Sequence, residues 1–99
     1  MIISQRIFDF LQKIPKNKVV TYKTLAEYFH IHPRAIARIL ASNREQNKYP
    51  CYKVICTDGS IWGYNLGIKE KIRRLQYDGI YPIANKIDNK HMRNPLDNK

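Results

Sequence analysis

Two thiols, Cys51 and Cys56, stand five residues apart in the run Pro50-Cys51-Tyr52-Lys53-Val54-Ile55-Cys56. A thiol attacks only as thiolate, and an unperturbed cysteine ionises at a pKa of ~8.5. Lys53, the basic surface and nearby helix N-termini would each favour ionisation of Cys51. The alternative reading of Cys51 is a small, inert core residue, and Cys56 is expected to pack in the core. No second Cys or His pair lies at ligand spacing, so the thiols form no zinc pattern, and no metal or cofactor is expected. His30, His32 and His91 are scattered, and the first two are assigned to a turn.

Eighteen Lys and Arg against eight Asp and Glu give the 99 residues a formal charge of +10. Such an excess points to a polyanion, nucleic acid first and a membrane surface second. The length suits one domain with one modest core. The opening MIISQRIFDFLQKI is interrupted by Ser4, Gln5, Arg6, Asp9, Gln12 and Lys13, so it reads as an amphipathic helix and not as a signal peptide or membrane span. A cytoplasmic protein, held at the nucleoid or in the nucleus through DNA, is the expectation.

The elements that must position these groups follow from periodicity. Ser4 is a candidate cap for a first helix carrying Ile7, Phe10, Leu11 and Ile14, with Pro15 at its end. Val19-Val20 can pair briefly as a strand. Thr21 is a candidate N-cap for a second helix with Tyr22, Leu25, Tyr28 and Phe29 on one face. Pro33 then opens a third, with Ile36, Ile39 and Leu40 inward and Arg34 and Arg38 on another face. Two short helices joined tightly, the second with outward arginines, read as a helix-turn-helix, with a plain helical hairpin as the alternative.

The polar loop 43–50 leads to Cys51. Residues 53–56 and 60–64 are expected to pair as a hairpin about Asp58-Gly59, forming a wing. Gly67 opens a last helix with Ile68, Ile72 and Leu75 inward, and Lys69, Lys71, Arg73 and Arg74 making its other surface basic; Gly79 ends it. The fold class is therefore mainly α with a small β-hairpin, a winged helix-turn-helix domain over 1–80, followed by a polar, loosely ordered tail over 81–99.

Pro50-Cys51-Tyr52-Lys53-Val54 resembles the Pro-Cys-His-Arg-Val active-site motif of the O6-alkylguanine-DNA alkyltransferases. Val20 to Ala26 resembles that family's Val-Ser/Thr-Tyr-Gly-x-Leu-Ala segment, and Pro33-Arg34-Ala35-Ile36 its Pro-Arg-Ala-Val. The spacing from Arg34 through Asn43 to Cys51, the run Asp58-Gly59-Ser60-Ile61-Trp62-Gly63-Tyr64, and Lys71-x-x-x-Leu75 to Gly79 extend the match over about residues 3 to 80.

The resemblance implies a domain that enters the minor groove of double-stranded DNA containing O6-alkylguanine and flips the damaged nucleotide out. It makes Cys51 the alkyl acceptor, Asn43 the brace of the active-site turn, Arg34 the finger filling the vacated stack, and Tyr22 the group crowding the flipped phosphate. Ala35 becomes the small residue allowing close approach to the groove, and Tyr64 the tyrosine near the base edge. Arg38, Lys53 and Asn65 join the DNA-binding set.

Three features depart from the family pattern. Tyr52 stands where a His draws the thiol proton through a water, and Asp78 where a Glu orients that His. A phenol with a pKa of ~10 is a poor acceptor at neutral pH, and losing a general base costs about 10²–10⁴-fold in rate. Leu66 in the run Tyr64-Asn65-Leu66-Gly67 replaces a small residue and narrows the pocket, which favours methyl over bulkier groups. The family's usual N-terminal domain has no counterpart in the sequence. The resulting expectation is single-turnover methyl transfer from O6-methylguanine to Cys51 by a monomer with no membrane association. The alternatives are a non-catalytic alkyltransferase-like protein that signals to a partner in another repair pathway, and a plain winged-helix regulator.

Overall fold

A computed structural model describes residues 3–61, 64 and 66–92. The elements run α1 (Ile3–Gln12), β1 (Val20–Thr21), α2 (Tyr22–Phe29), α3 (Pro33–Ala41), a 3-10 turn (Cys51–Lys53), β2 (Val54–Ile55), α4 (Ile68–Tyr77) and a second 3-10 turn (Asn89–His91). The chain is thus mainly helical, as its patterning predicts. Among the described residues no helix is long and apolar enough to cross a membrane.

Helix α1 buries Ile7 and Leu11, one turn apart, and Ile14 beyond its end. The helix is already formed at Ile3, so Ser4 lies inside its first turn instead of capping it. Thr21 caps α2 as expected: its Oγ1 accepts from the Thr24 amide at 3.0 Å. His30, at φ 60°, ends α2 in the left-handed conformation. His32 Nδ1 accepts from the Arg34 amide at 3.0 Å and so caps α3, whose first residue is Pro33. Both histidines therefore belong to the turn of the helix-turn-helix. Leu25, Ala26 and Phe29 of α2 meet Ile36 and Leu40 of α3 in one apolar cluster.

The strand pairing differs from the expected hairpin. Val20 pairs with Val54 and Thr21 with Ile55, in parallel. Successive side chains on a strand point to opposite faces. Val20 and Val54 accordingly enter the cluster shared by α1, α2 and α3, whereas Val19 and Ile55 enter a second cluster with Ile61, Leu75, Ile80 and Ile87. Both faces of this short sheet are covered, as parallel pairing requires.

The turn at Asp58-Gly59 does form. The Cys56 amide donates to Ser60 O at 2.9 Å, and Asp58 Oδ1 accepts from the Ser60 amide at 3.0 Å. The return segment pairs with a later stretch: Ser60 bridges Lys86 antiparallel, and the Ile87 amide donates to Gly59 O at 2.8 Å. Gly59 has φ +91°, and a Cβ there would sit 2.9 Å from Ile87 O, so only glycine fits. The expected return strand includes Trp62 and Gly63, which lie outside the described residues.

Helix α4 ends at Gly79 as predicted, with the Ile80 amide donating back to Leu75 O at 2.9 Å. The following segment is anchored at several points as far as Met92. Ile80 and Ile87 are buried, Val19 bridges Met92, and His91 Nδ1 lies 2.8 Å from Asn17 O. Residues 93–99 of the expected loose tail lie outside the described residues.

Candidate active site

Cys51 opens the 3-10 turn and is buried. Asn43, itself buried, holds it from the end of α3: Asn43 Nδ2 donates to Cys51 Sγ at 2.9 Å and to Tyr49 O at 3.0 Å. Asn43 Oδ1 accepts from the Glu45 amide at 2.8 Å, which fixes the amide's orientation. Tyr49 stacks on Phe8, ring centroids 5.0 Å apart, and so pins the loop to α1. Arg74 reaches the same loop from α4, donating to Gln46 O at 3.3 Å and Asn47 Oδ1 at 3.1 Å. The sulfur is therefore held by α1, α3 and α4 together.

Burial pushes the Cys51 thiol up to about 11, against the Asn43 hydrogen bond and the Lys71 ammonium, which both pull it down. Tyr22 and Tyr64 are likewise pushed up to about 12, by burial first and then by the neighbouring thiols, with the Arg74 charge opposing at Tyr64. Tyr64 packs against the cluster that contains Cys51, and its hydroxyl is buried with no hydrogen-bond partner among the described residues. Cys51, Tyr22 and Tyr64 thus share one region between α2 and the start of α4. Arg34 and Arg38 are exposed on α3 and Ala35 is half-buried there. Asn65 lies outside the described residues.

Tyr52 is half-buried, and its phenol is raised by burial and then by the Asp78 carboxylate. The direct partners of Asp78 Oδ2 are Lys53 Nζ at 2.8 Å and the Asn17 amide at 3.0 Å. Lys53 corrects the expectation of a DNA contact. It is buried, with Nζ also donating to Pro15 O at 2.8 Å, so its ammonium is already engaged within the fold. Tyr52, Lys53 and Asp78 line an open cleft of about 570 Å³ with Gln12, Lys48 and Tyr77; neither Cys51 nor any residue of α3 borders it.

Lys71 is the residue that sequence reasoning missed. It was expected on the basic outer face of α4, yet its side chain is fully buried. Its Nζ donates to Val54 O at 2.8 Å and lies 5.9 Å from the centroid of the Tyr64 ring. Burial pulls its pKa down to about 8, against the two thiols, which raise it. The signal was present in the spacing, because Lys71 falls three residues after Ile68 and four before Leu75, on the inward stripe.

A family model described as the 6-O-methylguanine DNA methyltransferase, DNA binding domain, matches residues 3–80. The chain belongs to this family. It is a family of DNA-repair methyltransferases, and the matched part is its DNA-binding domain.

Among its family relatives, a bifunctional methyltransferase/endonuclease of Picrophilus torridus is 44% identical over 89 residues, covering 88% of this chain and 30% of that protein. A methylated-DNA–protein-cysteine methyltransferase of Candida glabrata is 36% identical over 88 residues, covering 87% of this chain and 42% of that protein. The chain thus spans less than half the length of these curated relatives. Two solved structures share the fold. The O6-methylguanine-DNA methyltransferase of Pyrococcus kodakaraensis superposes with a TM-score of 0.74 at 28% identity, over 81% of this chain and 47% of that one. Atl1 of S. pombe, in complex with damaged DNA containing O6-carboxymethylguanine, superposes with a TM-score of 0.78 at 22% identity, over 93% and 94% of the two chains.

Proposed function

We propose that this chain repairs DNA by moving a methyl group from O6-methylguanine in duplex DNA onto Cys51, once per protein molecule, after the nucleotide is flipped out. The observation that carries the reading is the Cys51 sulfur held by Asn43 Nδ2 at 2.9 Å, in a turn braced by three helices. A hydrogen bond of this kind favours thiolate over thiol. The thiolate attacks the methyl carbon, the carbon–O6 bond breaks, and its electron pair stays on the purine. The purine then takes a proton at N1, which balances the proton lost by Cys51. In this reading Arg34 fills the vacated stack, Tyr22 crowds the flipped phosphate, and Ala35 allows close approach to the groove. Arg38 and Asn65 contact DNA, Tyr64 lies near the base edge, and Tyr52 relays the proton or holds a water.

The high thiol pKa and the phenol at Tyr52 favour a second reading, a binder of alkylated DNA that passes the lesion to another repair protein. Intact-protein mass spectrometry after incubation with a methylated duplex separates the two. Transfer adds one methyl group, which Cys51→Ser abolishes; tight binding without added mass supports the second reading and removes the first.

A further inference from the structure

Lys71 is a fully buried lysine with no carboxylate partner among the described residues. Burying an unpaired ammonium is expensive, and such groups are retained where their charge has a use. Two hydrogen bonds tie it to the acceptor turn. Lys71 Nζ donates to Val54 O, and the Val54 amide donates to Cys51 O. The Tyr64 ring centroid, in the segment before α4, lies 5.9 Å from the ammonium, and the charges that act on it are those of Cys51, in the 3-10 turn, and Cys56, just after β2. Tyr22 of α2 and Tyr64 both pack against the cluster that contains Cys51. The tyrosines stay neutral over the physiological range, since both titrate near 12. The anion this cluster can accommodate is a thiolate.

We propose that Lys71 supplies the counter-charge for the Cys51 thiolate, as a positioning residue that takes over work a neighbouring base would otherwise do. It rests on the proposed role of Cys51 as acceptor, and it states how a buried sulfur ionises when the residue beside it is Tyr52. At neutral pH and below, where Lys71 keeps its proton, the Cys51 proton leaves for solvent and Lys71 holds the negative sulfur by charge.

The test reads the thiol without reference to methyl transfer. In a Cys56→Ser background, the rate of Cys51 alkylation by iodoacetamide is followed from pH 7 to 11. Lys71→Met and Lys71→Gln are each expected to slow alkylation about tenfold or more at pH 7, where Lys71 carries its charge, and to converge on the parent rate above pH 9, where it does not, whereas Lys71→Arg keeps most of the rate. Glutamine keeps a donor for Val54 O, so wild-type behaviour of Lys71→Gln would assign the effect to the hydrogen bond and overturn the proposal. An unchanged profile in both neutral variants overturns it as well. Thermal melting checks that each variant is folded; removal of a buried charge leaves Lys71→Met at least as stable as the parent. Should Lys71→Met unfold, the comparison of Lys71→Gln with Lys71→Arg decides. A failure of methyl transfer with these shifts intact sinks the enzyme reading and leaves the thiolate pairing standing.

Discussion

Asp78→Asn separates two jobs for one carboxylate. The resemblance to the alkyltransferases makes Asp78 the orienter of the group beside Cys51, whereas the geometry makes it the partner of Lys53 at 2.8 Å. Lys53 is 4% exposed and Asp78 13%, so the pair is largely out of water. Removing one partner leaves the ammonium buried against Pro15 O and Ile14 O, two neutral acceptors. Breaking a buried pair costs about 3–5 kcal/mol, and the partial exposure of Asp78 places this case near ~3 kcal/mol. For a domain of this size that lowers the melting temperature by roughly 12 °C or more. Urea denaturation of Asp78→Asn, followed by tyrosine and tryptophan fluorescence, measures the loss. The double variant Lys53→Met with Asp78→Leu removes both charges and is expected to recover most of it. The reasoning is refuted if Asp78→Asn costs under about 1 kcal/mol while methyl transfer collapses, because the carboxylate would then be serving Tyr52 and not the ion pair.

Single-turnover transfer should quicken about tenfold per pH unit from 6 to 8, because a thiol at about 11 is ionised only to about one part in 10⁴ at neutrality; a flat profile would sink the thiolate reading. Asn43→Ala removes the donor to Cys51 Sγ and Tyr49 O, so Cys51 alkylation slows about tenfold and stability falls by about 1–3 kcal/mol in urea titration. Stability also depends on alkaline pH. Lys71 has a folded pKa near 8 against 10.5 ordinarily, so the unfolded chain binds more protons between these values and stability rises there. Cys51 is raised from 9.0 to about 11, and Tyr22 and Tyr64 from 10.0 to about 12, so folding weakens as the unfolded chain ionises first. Urea midpoints should therefore climb from pH 8 to 9 and drop above about 10, and Lys71→Met should lose the climb. Arg38→Ala is expected to lessen the dependence of log Kd on log salt by about one contact, a slope of ~0.9, measured by fluorescence anisotropy on a plain duplex.

Local chemistry made much of this legible from the residues. Thr21 and Pro33 announce the starts of α2 and α3, and Ile68, Ile72 and Leu75 announce α4. The resemblance to the alkyltransferases, through the interval from Asn43 to Cys51, marks the brace and the sulfur it holds. Each of these signals is short in range. The β1–β2 pairing joins residues 34 positions apart, and two-residue strands leave no alternation to read. Ile80, Ile83 and Ile87 are alike in type, yet Ile80 and Ile87 are buried and Ile83 is exposed, so residue type alone does not mark which of them pack. Lys53 and Lys71 look like surface charge by type. The spacing of Lys71 puts it on the Ile68–Leu75 stripe, whereas the position of Lys53 carries no such signal, and the partners of both, Asp78 for one and Val54 O for the other, appear only in the folded chain.

The two-rung ladder between Val20-Thr21 and Val54-Ile55 has a mechanical meaning. One rail runs directly into the cap of the helix-turn-helix, and the other leaves directly from the turn that carries the sulfur. The helix-turn-helix and the turn that carries Cys51 are therefore parts of one rigid gauge, whose length is set by backbone hydrogen bonds and not by a flexible linker. A slip of one rung would swap Val54 and Ile55 between the two apolar clusters and turn the sulfur away from the tyrosines. Under the proposed function, two residues of sheet thus set the distance at which a damaged base would be met.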